Sequence, residues 1–383
     1  MPRTRSAVMS LIATAMLATT AVACSSDSGD TAAKKQHGSL VVLPQISAAG
    51  DEPQAAKSAE TALVATFKPA IEGRKVAVQR KAGSTWKTVD EAEQGKQADL
   101  EFSVPYADGG EPATYRALAT GAGADRAATK ASRTDVHGAP DFSDEFSGDD
   151  VDSSVWNTRV QGYATGRTCS KADDRAAAVG GGTLKLRVMT DPDRTGEKCT
   201  YKGKKYSYRL NGHIGTVERR VGDAAQLPTK TIKYGYFAAR MKMQSARGQH
   251  ASFWLQTYME PGPAPTNGAE IDVVEYFGDD HPQGGVASYA YPGGKKVGGM
   301  VPDVTQYGDD WSGKFHVFSL DWTPDRYVFR IDGQETFRIT SDIVQVPEFL
   351  ILSLLPSDWE LPLGDESDLP QTAEVDWVRH WKL

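Results

Sequence analysis

The sequence predicts an all-β protein made of two successive β-sandwiches, a small one followed by a large one. Short runs in which apolar and polar residues alternate recur along the chain, and a period of two is that of strands with one buried face. No segment shows the sustained period of a long amphipathic helix. Glycine is frequent, with 37 residues in 383, and it suits the turns that many short strands require. The length is sufficient for two domains with separate cores.

Residues 1–24 predict a targeting segment. Two arginines precede an apolar run that reaches Ala23, as in a secretory signal peptide. The run ends in small residues before Cys24 and a polar stretch follows, which resembles a bacterial lipoprotein signal with Cys24 as the lipidated residue. The resemblance departs at Ala21, where such signals usually carry Leu, so an ordinary cleaved signal peptide is the alternative. Residues 25–37 then have the composition of a polar tether.

These features predict an exported protein. We expect it on the outer side of the cell membrane, anchored by lipid on Cys24, or secreted if Cys24 is not lipidated. A permanent transmembrane helix is less consistent with the sequence, because the apolar run is short for a hydrocarbon core of ~30 Å and no second run of this kind occurs. The formal net charge of −7 argues against nucleic acid as a partner. We therefore expect membrane contact only through the anchor, and a monomer in solution.

The two remaining cysteines, Cys169 and Cys199, predict one disulfide. An even pair in an oxidising compartment is typical of a structural bridge. Neither has a second Cys at the spacing of a zinc site. In the chain-entropy description, a bridge that closes a loop of this length stabilises the fold by about 3–4 kcal/mol.

Residues 38–120 predict a small immunoglobulin-like or fibronectin-like sandwich. Short β-like runs are separated by turn signals, and the runs 75–80 and 86–89 flank a turn at 82–84 in the manner of a hairpin. No catalytic constellation occurs in this region, so the expected role is that of a spacer or a carbohydrate-binding accessory domain. Residues 121–138 are rich in Ala, Gly and polar residues, which is typical of a linker.

Residues 139–383 predict one large two-sheet sandwich, which we expect to be the catalytic domain. No long helical period interrupts this region, and alternation recurs along it, as an all-β domain of this size requires. The clearest alternating runs are 184–188, 236–243, 317–322, 327–331 and 375–378.

One strand-like segment of this region carries three carboxylates, Glu270, Asp272 and Glu275. In a regular strand Glu270 and Asp272 share a face, and Glu275 comes one residue too late to join them. A single β-bulge, in which two residues oppose one, would return Glu275 to that face. Three neighbouring carboxylates repel one another, which costs free energy. The active site of a glycosidase is one kind of site that needs such a group of carboxylates. The alternative is a solvated outer face or a charged sheet edge.

Motifs around this segment occur in a recognisable order. They are FSDEFSG at 142–148, Trp156, KYGYFAAR at 233–240, SFWL at 252–255, GAEIDVVEY at 268–276, DWTPD at 321–325, IDG at 331–333 and EVDWVR at 374–379. Together they resemble glycoside hydrolase family 16, in its laminarinase-like branch with a β-bulge in the catalytic strand. The resemblance implies a concanavalin-like jelly-roll sandwich, a substrate cleft on its concave sheet, and retaining hydrolysis of β-glycosidic bonds. It assigns Glu270 as the nucleophile and Glu275 as the acid/base, with Asp272 hydrogen-bonded to Glu270.

The residue types suit this chemistry. After a bulge, Glu270 and Glu275 lie about four strand steps apart, or ~13 Å between Cα atoms. Two long side chains that lean together can reach the ~5–5.5 Å between carboxyl groups that retaining enzymes use, whereas Asp could not reach as far. The crowded like charges are expected to raise the pKa of Glu275, which keeps it protonated as the general acid.

Five side chains are candidate sugar contacts, namely Trp254, His250, Tyr289, Tyr291 and Trp359. Trp254 is expected beside the carboxylates, where an indole stacks on a sugar ring, and core packing is its alternative. The family usually has Trp where His250 stands, so His250 is either a polar sugar contact or a solvated strand residue. Tyr289 and Tyr291 share a face, and related enzymes often carry His near the second position. Trp359 either lines a subsite or is structural.

The leading hypothesis is a retaining glycosidase that cleaves internal β-glycosidic bonds of a polysaccharide, with a β-1,3- or β-1,3-1,4-glucan as the expected substrate. One alternative is a transglycosylase on the same fold, which differs only in the acceptor. The other is a non-catalytic carbohydrate-binding protein. The reaction requires no cofactor. The resemblance suggests a structural Ca²⁺ in some members, for which Glu145 and Asp376 are the candidate ligands here.

Overall fold

The computed structural model describes residues 35–46, 49–54, 58, 60–219, 226–258 and 266–382. Over these residues the protein is all-β, as the alternating runs predict, with short 3-10 segments as the only helical elements. The predicted signal peptide and its Cys24 lie outside the described residues. Within the described ranges, no helix has the length and hydropathy that crossing a bilayer demands.

The first strands form a small two-sheet sandwich. They are β1 (His37–Val42), β2 (Thr61–Lys68), β3 (Arg74–Ala82), β4 (Thr85–Gln94), β5 (Asp99–Val104), β6 (Ala107–Asp108), β7 (Glu111–Pro112), β8 (Thr114–Thr120), β9 (Ala127–Ala128) and β10 (Ser132–Arg133). One sheet has the order β1-β2-β5, and the other has the order β10-β8-β3-β4 with β9 also paired to β8. Alternate residues of these strands, such as Val76 and Val78 of β3, enclose a core of their own.

In this region the structure agrees with one prediction made from the sequence and differs from another. The hairpin predicted around residues 82–84 is confirmed, because β3 and β4 pair up to Ala82 and Thr85, and Gly83 has a φ of 61° that glycine adopts readily. The predicted linker at 121–138 is not a plain linker, since β9 and β10 both pair with β8. Strands of two residues are too short to show a period of two, so composition dominated the prediction.

The remaining strands build the large sandwich. They are β11 (Phe142–Asp144), β12 (Asn157–Thr158), β13 (Ser170–Ala172), β14 (Ala177–Gly180), β15 (Thr183–Thr190), β16 (Lys198–Tyr201), β17 (Lys204–Ser207), β18 (Arg209–Gly215), β19 (Gly235–Lys242), β20 (His250–Gln256), β21 (Glu270–Tyr276), β22 (Val286–Ala290), β23 (Val297–Met300), β24 (His316–Thr323), β25 (Arg326–Ile331), β26 (Gln334–Ile339), β27 (Phe349–Leu355) and β28 (Gln371–Trp381). Their 3-10 segments are Asp174–Ala176, Pro192–Arg194, Pro292–Gly294, Val304–Gln306, Leu361–Leu363 and Glu366–Asp368.

The long strands form one ladder that folds back on itself. Its order is β23-β22-β21-β20-β27-β18-β15-β28-β19-β24-β25-β26, and a short pairing of β15 with β18 joins the two halves. The halves meet across one apolar core, in which Phe253, Ile271 and Leu352 of the first half join Phe237 and Leu320 of the second. This is the jelly-roll sandwich that the family resemblance implies. It places the carboxylate segment, β21, inside the first half.

The small sandwich packs against the outer face of the second half. In β19, Phe237 lies in the main core, while Tyr236 and Ala238 lie on the other face and join a cluster with Leu43 and Ile46. Alternation along β19 therefore buries both faces of the strand, one against each domain. The small sandwich lies on the half of the ladder that does not contain β21.

The two candidate calcium ligands are both engaged by arginines. Both carboxylate oxygens of Glu145 accept hydrogen bonds from Arg379, at 2.9 and 3.0 Å. Asp376 accepts from Arg240 Nη1 at 2.7 Å and from the backbone N–H of Gln54 at 3.0 Å. Guanidinium groups thus bind three of the four carboxylate oxygens that Ca²⁺ would need. These positions do not fit a calcium site, and the described residues contain no group of three or more side chains suited to a metal ion.

The disulfide prediction is confirmed. Cys169 and Cys199 are bonded, with 5.5 Å between their Cα atoms. The bridge joins the segment before β13 to β16, and Tyr206 and Leu361 pack in the same small cluster. Leu361 directly follows Glu360, so the bridge helps to hold a segment that reaches the site described next.

Candidate active site

Strand β21 contains the bulge that the carboxylate spacing predicts. It pairs with β20 on one side and β22 on the other. Along β20, Phe253 opposes Val274 and the next residue, Trp254, opposes Asp272, so Val273 is an extra residue in β21. The pairing with β22 shifts over the same residues. The bulge is therefore confirmed from both neighbouring strands.

This bulge places the three carboxylates on one face. Opposite Glu270, Asp272 and Glu275 stand alternate residues of β20, which are Gln256, Trp254 and Ser252 in that order. Opposed side chains of an antiparallel pair lie on the same side of the sheet. The carboxylates therefore share the face of Trp254, while the apolar residues between them belong to the main core. The alternative of a solvated outer face or a charged sheet edge is excluded for β21, which has a paired strand on each side.

Burial dominates the electrostatics of the first two carboxyl groups. Asp272 is 4% exposed, and burial, followed by the charges of Glu275 and Glu270, holds its pKa well above the usual range. Burial and the charge of Glu275 also raise the pKa of Glu270, against the opposing effect of Arg167. Asp272 is the most buried of the three, so it is the one that most favours the protonated form.

The third carboxyl group, Glu275, is half-buried and also has a raised pKa. The direction agrees with the sequence prediction, but the leading cause is desolvation by burial rather than the crowding of like charges. Glu360 raises the pKa further, whereas His250 and Lys296 lower it. A carboxyl group with this balance can carry a proton and still release it, as a general acid must.

Cationic side chains flank the carboxylates. The charge of Arg167 lowers the pKa of both Glu270 and Glu275. Burial lowers the pKa of Arg159 to about 10, although the charge of Glu270 opposes this shift. Arg159 Nη2 donates to Gln256 Oε1 at 2.9 Å, on the same strand face as the carboxylates. These charges favour an ionised carboxylate at position 270, which a nucleophile requires.

The structure excludes one of the two expectations for His250. It is 7% exposed, so it is not a solvated strand residue. Its Nδ1 lies 2.8 Å from Glu360 Oε2, and its Nε2 lies 3.6 Å from Glu275 Oε1. Both ring nitrogens therefore face carboxylates of the site.

Trp254 lies on the carboxylate face and is half-buried. Its indole Nε1 donates to Ser353 Oγ at 3.1 Å, and its ring stacks on His213 at 5.8 Å between centroids. Burial and then the charge of Arg159 hold the pKa of His213 well below the usual range, so this ring is neutral. Ser353 and His213 together fix the plane of the Trp254 indole and leave part of it accessible. A sugar ring needs such an accessible aromatic face for stacking.

The other aromatic candidates differ in exposure. Tyr289 opposes Asp272 in the pairing of β21 with β22 but is only 5% exposed. The Lys296 ammonium lies 3.8 Å from the centroid of its ring. Tyr291 is half-buried, with its ring 6.0 Å from that of Tyr289. Trp359 is 53% exposed and lies 6.1 Å from the ring of Phe277. Among them, Trp359 and Tyr291 present more surface to a ligand than Tyr289 does.

The sequence of the larger sandwich has known relatives. Residues 194–379 match the description of the glycosyl hydrolases family 16. The large sandwich thus resembles this family over most of its length. The matched span includes β21 and every side chain of the candidate site named above except Arg159 and Arg167.

The individual relatives are distant in sequence. A β-glucanase of Acetivibrio thermocellus is 28% identical over 194 residues, which are 48% of this chain and 54% of that protein, so the chain spans about half of its length. Beta-porphyranase E of Zobellia galactanivorans is 24% identical over 268 residues, which are 63% of this chain and 86% of that protein. A LamA variant from Z. galactanivorans, solved with laminaritriose and laminaritetraose, has a TM-score of 0.50 at 20% identity and covers 64% of this chain and 100% of that one. This last likeness supports the jelly-roll fold.

The sequence patterns do not reveal several charged residues of the candidate site. Glu360 directly follows Trp359, so the segment already selected for its indole offered a signal for it. Arg159 and Arg167 lie outside the long strands, where no period marks a face. Lys296 lies just before β23, in a Gly-rich stretch. Only the folded chain places these residues near β21.

Proposed function

We propose that the large sandwich is a retaining endo-glycosidase. The observation that carries this proposal is the placement of Glu270, Asp272 and Glu275 on one strand face across a bulge. A buried group of three carboxyls is costly, and binding of a neutral sugar does not require it. Two carboxyl groups of different protonation state are what retaining glycoside hydrolysis needs.

In the first step, Glu270 attacks the anomeric carbon while Glu275 gives its proton to the leaving oxygen. The glycosidic C–O bond breaks, and a covalent glycosyl ester forms on Glu270. In the second step, Glu275 removes a proton from water, the water oxygen attacks the same carbon, and Glu270 is released. Two inversions restore the original configuration, and Glu275 is protonated again.

Asp272 has the position to assist Glu270. It lies between the two glutamates on their face, and its raised pKa favours the protonated form. A protonated Asp is a hydrogen-bond donor, whereas an ionised one only accepts. We therefore assign it the role of donating to Glu270, which orients the nucleophile and spreads its charge.

The substrate that we propose is a β-1,3- or β-1,3-1,4-glucan. Support comes from the β-glucanases among the relatives and from aromatic surface at Trp254 and Trp359, since faces of β-linked glucose rings stack on indoles. The relative named as a β-porphyranase makes porphyran the main comparison polysaccharide.

The test is a screen of the purified protein against β-1,3-glucan, mixed-linkage glucan, galactan and porphyran, with product sizes followed over time. We expect short oligosaccharides from the two glucans, released first as the β-anomer in NMR spectra. Products longer than the substrate would identify a transglycosylase. Binding without turnover would identify a carbohydrate-binding protein, and cleavage of porphyran alone would refute the glucan assignment.

We also propose that the protein is exported and held at the outer face of the membrane by lipid on Cys24. Support comes from the small residues before Cys24 and the polar tether after it. Changing Cys24→Ser is expected to move the protein from the membrane fraction to the medium or the soluble fraction, as measured by fractionation and immunoblotting. A membrane-bound Cys24→Ser protein, or a wild-type protein without added lipid mass, would contradict this anchor.

A further inference from the structure

We propose that His250, held by Glu360, is a positioning residue for the acid/base Glu275. This role rests on the proposed function, in which Glu275 gives and takes the proton.

Glu360, His250 and Glu275 form a row in which the imidazole lies between two carboxyl groups. Glu360 is 1% exposed, and its Oε2 also accepts the backbone N–H of Ser357 at 2.8 Å. A carboxylate only accepts hydrogen bonds, so the 2.8 Å contact requires His250 Nδ1 to donate. The ring orientation is thus defined, and Nε2 is directed at Glu275 Oε1, 3.6 Å away.

The imidazole ring of His250 is held in place by contacts with its neighbours in the site. His250 begins the face of β20 that continues through Ser252 and Trp254, and the ring of Phe277 packs against it at 5.5 Å between centroids. Glu360 lies 110 residues further along the chain, in a turn adjoining the disulfide cluster. Rigid supports on both sides keep the imidazole close to Glu275.

Several charges act on this row. Burial lowers the pKa of His250, but Glu360 and then Glu275 raise it above the usual range, with Arg167 opposing them. On Glu275, burial and Glu360 favour the protonated form, while His250, Lys296 and Arg167 favour the carboxylate. Asp272 and Glu270 are the remaining charged groups on this face, and Glu275 raises the pKa of both.

This balance explains what an imidazole contributes at position 250. Burial alone would leave Glu275 a poor proton donor, because its carboxylate form would be too costly in a desolvated site. An imidazolium facing Oε1 stabilises that form as the proton leaves for the glycosidic oxygen. Glu360 favours the charged form of the ring and fixes its orientation. A buried Trp at this position could supply neither effect.

The first test needs no turnover. Imidazole NMR titration of ¹⁵N-His-labelled protein follows His250, identified by loss of its signals in His250→Gln. We expect its pKa to fall in both Glu360→Gln and Glu275→Gln, because each variant removes a carboxylate that favours the imidazolium. An unchanged value in either variant overturns the proposal.

The second test measures the pH dependence of kcat/KM. In His250→Gln we expect the alkaline limb to move to higher pH, since the cation that lowers the pKa of Glu275 is gone. We also expect a loss of roughly tenfold or more on the polysaccharide, a part of the 10²–10⁴-fold that a general acid contributes. The loss should be smaller on an aryl glycoside whose leaving phenol needs little protonation. Equal losses on both substrates with an unmoved limb would show a merely structural role.

A matched control is present in the same fold. His316 is also a buried histidine paired with a carboxylate, with Nδ1 2.7 Å from Asp332 Oδ2, but its Nε2 contacts the backbone oxygen of Asp309. His316→Gln should leave the alkaline limb and the ratio between the two substrates unchanged. A wild-type protein that cleaves no glycan would refute the proposed function, while the NMR titration would still decide whether the row exists.

Discussion

Replacing Glu270 with Gln is expected to lower kcat on the polysaccharide by on the order of 10⁴–10⁶-fold, the cost of removing a nucleophile that acts as one unit with its neighbours. Gln keeps the size of the side chain but cannot form the glycosyl ester. The neighbouring charges no longer repel an ionised carboxylate at this position, so the fold should be at least as stable. Initial rates from reducing-end assays measure the loss.

Trapping of the intermediate makes this experiment specific. An activated 2-deoxy-2-fluoro glycoside should add its mass to the wild-type protein and to Glu374→Gln, and add nothing to Glu270→Gln. Glu374 is the matched control, because it is a half-buried carboxylate of β28 paired with Lys242 Nζ at 2.6 Å, in the other half of the ladder. An adduct on a residue other than Glu270, or near-normal rates in Glu270→Gln, would refute the assignment of the nucleophile.

The second large effect concerns Glu348, a carboxyl group that is fully buried beside the catalytic strand. Its Oε1 accepts the backbone N–H of Ala269 at 3.0 Å, one residue before Glu270. Its Oε2 has no hydrogen-bond partner among the described residues. Burial raises the pKa of Glu348 from 4.5 to about 8, although the Ala269 N–H opposes the shift.

The direction of the pH effect follows from this raised value. As pH rises, the unfolded chain loses the proton of Glu348 first, near its ordinary pKa, while the folded protein holds it to about pH 8. The contribution of Glu348 to the free energy of unfolding is therefore largest in acid and falls across that window. The fall is about 1.4 kcal/mol per pH unit, or on the order of 5 kcal/mol over the whole window.

The substitution Glu348→Gln is expected to remove this pH-dependent fall in the free energy of unfolding. We expect the variant to match the wild type near pH 4 and to exceed it by about 3 kcal/mol near pH 7, because an amide has no proton to lose. Urea unfolding at a series of pH values measures the difference, with Glu374→Gln as the control. Hydrolysis should persist, since the amide oxygen can still accept the Ala269 N–H. A stability difference that does not change with pH would contradict the assigned pKa.

The local pattern of β21 was sufficient to predict its fold and its face. Side chains alternate in any strand, so an extra residue between Asp272 and Glu275 is what returns Glu275 to the face of the other two carboxylates. The pairing of Phe253 and Trp254 with β21 confirms that extra residue. The disulfide was equally accessible, because Cys169 and Cys199 were the two cysteines remaining after the one in the signal segment.

Long-range contacts were not accessible in this way. The sequence marked His250 as unusual but placed it against sugar or solvent, whereas its partner Glu360 lies 110 residues away. It placed Glu145 and Asp376 near a cation and missed the arginines that engage them. Short strands such as β9 and β10 carry too few residues to show a period, so their region was assigned to a linker.

The sequence by itself predicted the strand class, the bulge and the three carboxylates on one face, because the period and spacing of neighbouring residues express these features. It also predicted the disulfide, because only two cysteines remain after Cys24. Only the tertiary structure decided the protonation balance of the site. That balance depends on burial and on Arg167 and Glu360, which come from segments far from β21 in the sequence. Desolvation and charge act through space, so their strength is set by which distant segments the sandwich brings together.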